Sequence, residues 1–299
     1  MRPRKNRGAL AAGLAATALL SLLCTSCPAS LGDFFTESSS VTSRVQDAGA
    51  KPLVPPSPSS VPSGRPISFL IVGDPHFGAP FAAANEVLDS FSALAGSPDA
   101  NGNPYAFVLY VGDDMHSGAQ SEYESFTSWA GSMKDSKGYP MQWYSAVGNH
   151  DLYHGGWTWF RQYIGPSFFH LSVGNYSIYV IDTGQGSLGD YQIGRLRAEF
   201  AADPSPKIVI SHYPIYGGAD VLYYYRLSDP REVAELLDLF ARSGVRLIVA
   251  GHWHYLAHDQ IGSMDQWLVE SLTVTDGGRA HCFAVTLDGS VASLARISF

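Results

Sequence analysis

Five short apolar runs in the second two-thirds of the chain each stop on a small residue, followed at once by aspartate, asparagine or histidine. Ile67 to Val72 ends at Gly73-Asp-Pro-His76, Ala106 to Val111 at Gly112-Asp113, and Met141 to Val147 at Gly148-Asn-His-Asp151. Lys207 to Ile210 ends at Ser211-His212, and Val245 to Ala250 at Gly251-His-Trp-His254. Runs rich in β-branched residues, without polar alternation, read as strands covered on both faces. Side chains placed just past the carboxyl ends of such strands fall where ligand crevices form in α/β sheets.

The intervening segments supply the covering layers. Residues 83–95 read as a helix with Val87, Phe91 and Leu94 on one stripe and Gly96 at its end. Residues 191–201 form a second helix before Pro204. A third opens at Ser228-Asp-Pro-Arg-Glu232, with Val233, Leu236, Leu237 and Phe240 as its buried stripe and Gly244 closing it. Residues 168–173 and 176–181 make a hairpin around Gly174-Asn175, and 266–299 alternates in three strand-like pieces. The expectation is a single α/β domain over 66–299, with sheets inside and helices outside.

The residue types after the strands suit metal chemistry. In Asp74-Pro-His76 and His252-Trp-His254, residues i and i+2 of an extended chain project to one side, so each pair aims two ligands into one crevice. A carboxylate such as Asp113 can be shared between two cations, since it has two oxygens and a charge that offsets their repulsion. Glycines at 73, 112, 148 and 251 are expected to permit tight turns there.

Taken in this order, the five motifs resemble the metal-binding signature of the calcineurin-like metallophosphoesterases across most of 66–299. The resemblance implies a central β-sandwich of two mixed sheets flanked by helices, four layers α-β-β-α, with the metal site at the carboxyl ends of the strands. It implies that Asp74, His76 and His254 hold one ion, that Asn149, His212 and His252 hold the other, and that Asp113 bridges them. Two divalent ions drawn from manganese, iron, zinc or cobalt are the implied cofactors. A hydroxide shared by the ions would attack phosphorus, with His150 protonating the leaving group and Asp151 orienting the His150 ring.

Within the family, His116 stands where purple acid phosphatases place a tyrosine, and His76 where they have glycine. The run from Gly112 to Tyr123 is more similar to the cyclic-nucleotide phosphodiesterase-like branch. His116 then reads either as a substrate contact or as a loop histidine. His154 is near enough in sequence to His150 to assist phosphate binding, whereas His170, His258 and His281 read as structural. Aromatics at Tyr213, Tyr216 and Tyr223 to Tyr225 form either a stacking surface for a flat substrate group or a cover for the sheet. Trp253, between two ligands, should point away from them.

Charge and the amino terminus bound the setting. Residues 1–65 hold 7 Lys+Arg and 3 Asp+Glu, and 66–299 hold 12 and 24, so the body carries 12 − 24 = −12. A body of that charge repels long polyanions and argues against general nucleic-acid binding, while the resemblance implies a small phosphorylated substrate as the partner. Four basic residues in Met1 to Arg7 precede the apolar stretch Ala9 to Leu23, a secretory signal pattern over 1–27. Cys27 fits a lipoprotein processing site; ordinary cleavage near Ser26 or Ala29 and a retained signal-anchor are the alternatives. Residues 28–65, rich in Ser and Pro, read as a disordered tether. The chain is therefore expected to be an exported phosphoesterase, either a phosphodiesterase or a phosphomonoesterase, periplasmic or cell-surface, meeting the membrane only through its amino terminus. A surface protein that binds phosphorylated ligands without turnover is the alternative.

Overall fold

The computed structural model describes residues 39–56, 64–218 and 225–299. The proposed signal segment with Cys27, the tether residues 28–38 and 57–63, and Tyr223 and Tyr224 lie outside the described residues.

All five apolar runs form strands. In chain order the strands are β1 (Ile67–Val72), β2 (Val108–Tyr110), β3 (Trp143–Ser145), β4 (Phe169–Val173), β5 (Tyr176–Val180), β6 (Lys207–Ile210), β7 (Val245–Ala250), β8 (Ala257–Ile261), β9 (Met264–Leu268), β10 (His281–Asp288) and β11 (Val291–Ser298). They build two mixed sheets, ordered β11-β10-β1-β2-β3 and β4-β5-β6-β7-β9-β8. Parallel pairing of β1 with β2 and β2 with β3, and of β5, β6 and β7 in the second sheet, brings their carboxyl ends to the same edge.

The sheets face each other across one core, in which Phe69, Ile71 and Leu109 of the first meet Ile178, Ile210 and Val249 of the second. Helices α2 (Asn85–Ala95), α3 (Gln120–Ser132) and α5 (Trp157–Tyr163), the last following the single turn α4 (Asn149–Leu152), cover the outer face of the first sheet through Phe91, Phe126 and Phe160. The outer face of the second sheet packs against α6 (Gly189–Ala202) and α7 (Pro230–Arg242) through Leu196, Phe200, Leu236 and Phe240. This is the four-layer α-β-β-α arrangement. Asp229 caps α7 by accepting from the Arg231 amide, and Pro230 starts the helix. Its buried stripe is Val233, Leu236, Leu239 and Phe240, so Leu239 replaces the expected Leu237, which is only partly buried.

Residues 39–56 correct the expectation of an unstructured tether through residue 65. They contain a short helix, α1 (Val41–Val45), which packs against α6 and whose Val41 and Val45 join the core on the outer face of the second sheet. Further along, the Tyr144 hydroxyl donates to the Val54 carbonyl (2.7 Å) and the Lys51 amide to the Arg161 carbonyl (2.8 Å). Val41 and Val45 are four apart and share a helix face, but one turn is too short to stand out from a Ser-rich background. No helix among the described residues is long and apolar enough to cross a membrane.

Candidate metal centre

The carboxyl ends of β1, β2, β3, β6 and β7 deliver their polar residues to one place. His76 Nε2 lies 3.1 Å from His254 Nε2, and His212 Nε2 lies 3.2 Å from His252 Nδ1, 3.1 Å from Asn149 Oδ1 and 3.3 Å from Asp113 Oδ2. Two trios can each hold a cation, His76–Asp113–His254 and Asp113–His212–His252, each with its ligand atoms within 4.8 Å of one another. They share Asp113. Asp74 stands outside both trios: its carboxylate accepts from the His252 amide at 3.2 Å and approaches His212 Nδ1 at 3.5 Å. Asn149 donates its Nδ2 to the Tyr153 hydroxyl (3.0 Å), which turns its carbonyl oxygen toward His212.

Backbone strain is concentrated in these residues. Among the described residues, positive φ outside glycine occurs at Asp74 (39°), His76 (49°), Asp113 (52°), His154 (52°), His252 (63°) and His254 (62°). Each such conformation costs about 1–3 kcal/mol and persists where the surroundings fix it, most often at functional sites. The glycine expectation needs correction here. Of the four, only Gly112 has positive φ (98°); five of the candidate ligands, Asp74, His76, Asp113, His252 and His254, themselves take the left-handed conformation. The glycines provide room instead. A Cβ on Gly148 would overlap the Asp113 carboxylate and amide, one on Gly73 the Glu270 carbonyl, and one on Gly251 would sit 2.7 Å from Asp74 Oδ2.

Asp74, Asp113, Asp114 and Asp151 are all buried around this point. Burial raises the Asp74 carboxyl to about 8, with Asp113 adding to the effect, and likewise raises Asp151 to about 7. Burial, with neighbouring histidines, holds His76 and His252 well below their usual range and lowers His254 to about 4. Burial works against a charged His212 as well, but Asp113 and Asp74 outweigh it and raise that ring to about 9. The site thus combines several carboxylates with the imidazoles of His76 and His254, whose nitrogens face each other at 3.1 Å, and His76 Nδ1 is buried with no hydrogen-bond partner. That donor set, mixed nitrogen and oxygen with an excess of negative charge, fits two divalent transition-metal ions.

His150 and Asp151 divide their work differently from the expectation. His150 Nδ1 donates to the His116 carbonyl at 2.6 Å, and that contact sets the ring. The Asp151 carboxylate accepts three backbone amides instead, from Gly148 (2.8 Å), Met115 (2.9 Å) and Asp113 (3.1 Å). Asp151 therefore ties the β2 turn to the β3 turn. The His116 side chain is no bystander of the loop. Its ring stacks on His150 with centroids 5.2 Å apart, and His76, His116 and His150 form a third group of converging nitrogens. His154 is exposed and points Nδ1 at the Ser117 carbonyl (3.0 Å).

His170 lies by Glu199, His258 by Asp265 and buried His281 by Ser298, all away from the centre. Tyr213 is buried and stacks on His252 at 3.8 Å, which makes it a cover for that ligand. Tyr225 and Trp253 pack edge to face at 4.9 Å beside His252. Two supporting residues escaped the sequence reading. Ser271 donates to the Asp74 carbonyl (2.7 Å), and the Thr183 hydroxyl accepts the amides of His212 (3.0 Å) and Tyr213 (2.9 Å). Both are small hydroxyl residues outside any motif, and their partners become visible only in three dimensions.

Residues 67–256 match the calcineurin-like phosphoesterase family, and the chain belongs to it. Among solved structures it is similar to GAP50, the anchor in the inner membrane complex of Plasmodium, with TM-score 0.57 and 13% identity over 78% of this chain and 84% of that one. A dimetal phosphatase from Danio rerio aligns with TM-score 0.54 and 11% identity, over 78% of this chain and 99% of its own. A purple acid phosphatase from yellow lupin seeds gives TM-score 0.57 and 12% identity; the 78% of this chain that aligns spans 52% of that enzyme. At these identities the likeness is one of fold. No functionally curated protein matches the chain in sequence.

Proposed function

We propose that this chain is an exported, metal-dependent phosphoesterase with a dinuclear centre, acting on small phosphorylated substrates and preferring diesters. The observation that carries the proposal is the pair of trios sharing buried Asp113. One ion would be held by Asp74, His76 and His254, although the Asp74 carboxylate lies against His212 and the His252 amide, the other ion by Asn149, His212 and His252, and Asp113 would serve both. When bound, such a pair supplies Lewis-acid activation of water and of the phosphoryl group. The chain's own residues supply proton transfer and orientation. His150 Nδ1 is committed to the His116 carbonyl, which assigns proton donation to the leaving group to Nε2. The stacked His116 ring lines the same side. Tyr225 and Trp253 offer an aromatic wall beside His252 for the organic part of a diester.

Purified protein, stripped of metal and reloaded with manganese or zinc, should be given equal concentrations of p-nitrophenyl phosphate and bis-p-nitrophenyl phosphate. Turnover is expected only after reloading, with the diester faster, and His150→Ala should lower the rate by about 100-fold or more. Hydrolysis that survives chelation sinks the proposal. Phosphate-ester binding without turnover by the reloaded protein would instead favour a surface receptor.

The sequence of residues 1–27 supports export with Cys27 as a lipid attachment point. Full-length chain expressed in a bacterium should partition with membranes, and Cys27→Ser should release it to the soluble fraction. Unchanged partition would exclude the lipid anchor.

A further inference from the structure

Arg44 lies outside the matched family region and in a stretch whose composition suggests a linker, yet it is 1% exposed. Its guanidinium grips Asp182 in a two-pronged contact, Nε to Oδ2 at 2.8 Å and Nη2 to Oδ1 at 3.0 Å, and its Nη1 donates to the Ser39 carbonyl at 2.7 Å. Asp182 is fully buried and follows the end of β5. Its backbone is held by Gln192, which accepts the Asp182 amide and donates to the Asp182 carbonyl, both at 2.8 Å. Its carboxylate also accepts the Gly184 amide (3.2 Å), so the turn 182–184 is folded around a charge that Arg44 neutralises.

Thr183 is the middle residue of that turn. Its hydroxyl takes the amides of His212 and Tyr213, fixing the backbone of one candidate ligand and of the ring stacked on another, His252. A continuous path of short contacts therefore runs from Arg44 through Asp182 and Thr183 to the Asn149–His212–His252 half of the centre. The His76–His254 half is supported separately, by Ser271.

We infer that Arg44 is a positioning residue for one of the two ion sites, so that the segment 39–56 is a working part of the metal centre. The inference rests on the dinuclear reading above. Without Arg44, Asp182 keeps a buried charge with no cation, the turn 182–184 must rearrange, and the Thr183 hydroxyl leaves the His212 and Tyr213 amides. Among the described residues no hydrogen bond joins the His76 or His254 side chain to Arg44, Asp182 or Thr183. Loss of Arg44 should therefore weaken the two ions unequally.

The test is calorimetric titration of manganese into metal-stripped full-length protein, with bound metal counted after gel filtration. Wild type should take up two ions. Arg44→Ala should retain one at wild-type affinity and bind the other about 10–100-fold more weakly, the usual effect of losing a group that orients a ligand. The affinity of the retained ion should equal that of the single ion bound by His252→Ala, which identifies the weakened site. Thr183→Val should reproduce the selective loss, and Arg44→Lys should fall between. These two milder variants carry the test if Arg44→Ala does not fold. Two ions at wild-type affinity in Arg44→Lys and Thr183→Val, with only heat stability reduced, would overturn the inference and leave the dinuclear reading standing. Equal weakening of both ions would also overturn it. Wild type that binds no pair of ions overturns the dinuclear reading, and this inference falls with it.

Discussion

Asp113→Asn is expected to remove both proposed ions at once, and the proposed hydrolysis with them. Asp113 is the one residue common to both trios, and its two oxygens already face different partners. Oδ1 accepts the His150 amide (2.8 Å), while Oδ2 lies 3.3 Å from His212 Nε2. Asparagine keeps the volume and can still accept the His150 amide. It loses the charge that two cations in one pocket require, and it has a single oxygen where a carboxylate has two. The effect should exceed the roughly 10–100-fold typical of residues that only orient ligands, at both sites together. Metal content after gel filtration and the initial rate on the diester are the measurements. Retention of either ion at wild-type affinity would remove Asp113 from the bridging position.

The contrast with Arg44 comes from where each residue sits. Asp113 belongs to both trios, so its loss cannot be selective. Arg44 reaches the centre through one turn only and should weaken one site. Together the two variants separate a shared ligand from a one-sided support.

Much of this was legible in the sequence because it is local. An apolar run that stops on Gly-Asp or Gly-His reports a covered strand and the residue beyond its end. The spacing of Asp74 with His76 and of His252 with His254 marks residues that meet at one centre, although the extended backbone behind that reading gives way to left-handed turns. What could not be read was non-local or conformational. The left-handed backbone at Asp74, His76, Asp113, His252 and His254 leaves no mark in composition, so the glycines beside them were given the wrong task. The glycines are small because Asp113, Asp74 and the Glu270 carbonyl lie against them. Arg44 was hidden by its neighbours: a five-residue helix in a Ser-rich stretch has too few turns to show periodicity, and its partner lies 138 residues away. Strand β8 (Ala-His-Asp-Gln-Ile) was missed because an edge strand with alternating exposure needs no apolar run.

At Asp151 the observed contacts and the expected role part company, and its substitution separates the two readings. If Asp151 served to orient His150, Asp151→Ala would slow turnover and leave stability and metal uptake unchanged. The contacts point to a different outcome. Its buried carboxylate is the acceptor for the Gly148, Met115 and Asp113 amides, and alanine leaves all three without that acceptor. A buried donor deprived of its partner costs about 1–3 kcal/mol, so the loss should be at least about 3 kcal/mol. For a domain of this size that corresponds to a fall in Tm of roughly 10 °C. The same three bonds hold the Asp113 backbone in its left-handed conformation against the β3 turn, so metal affinity should fall together with Tm. Asp151→Asn, which keeps one acceptor oxygen, should fall between wild type and alanine in both measurements. Thermal melts of metal-free and manganese-loaded protein would decide the matter. An unchanged Tm with reduced turnover would restore Asp151 to the service of His150, and a joint loss of stability and metal would make it the clasp between the two turns that carry Asp113 and Asn149.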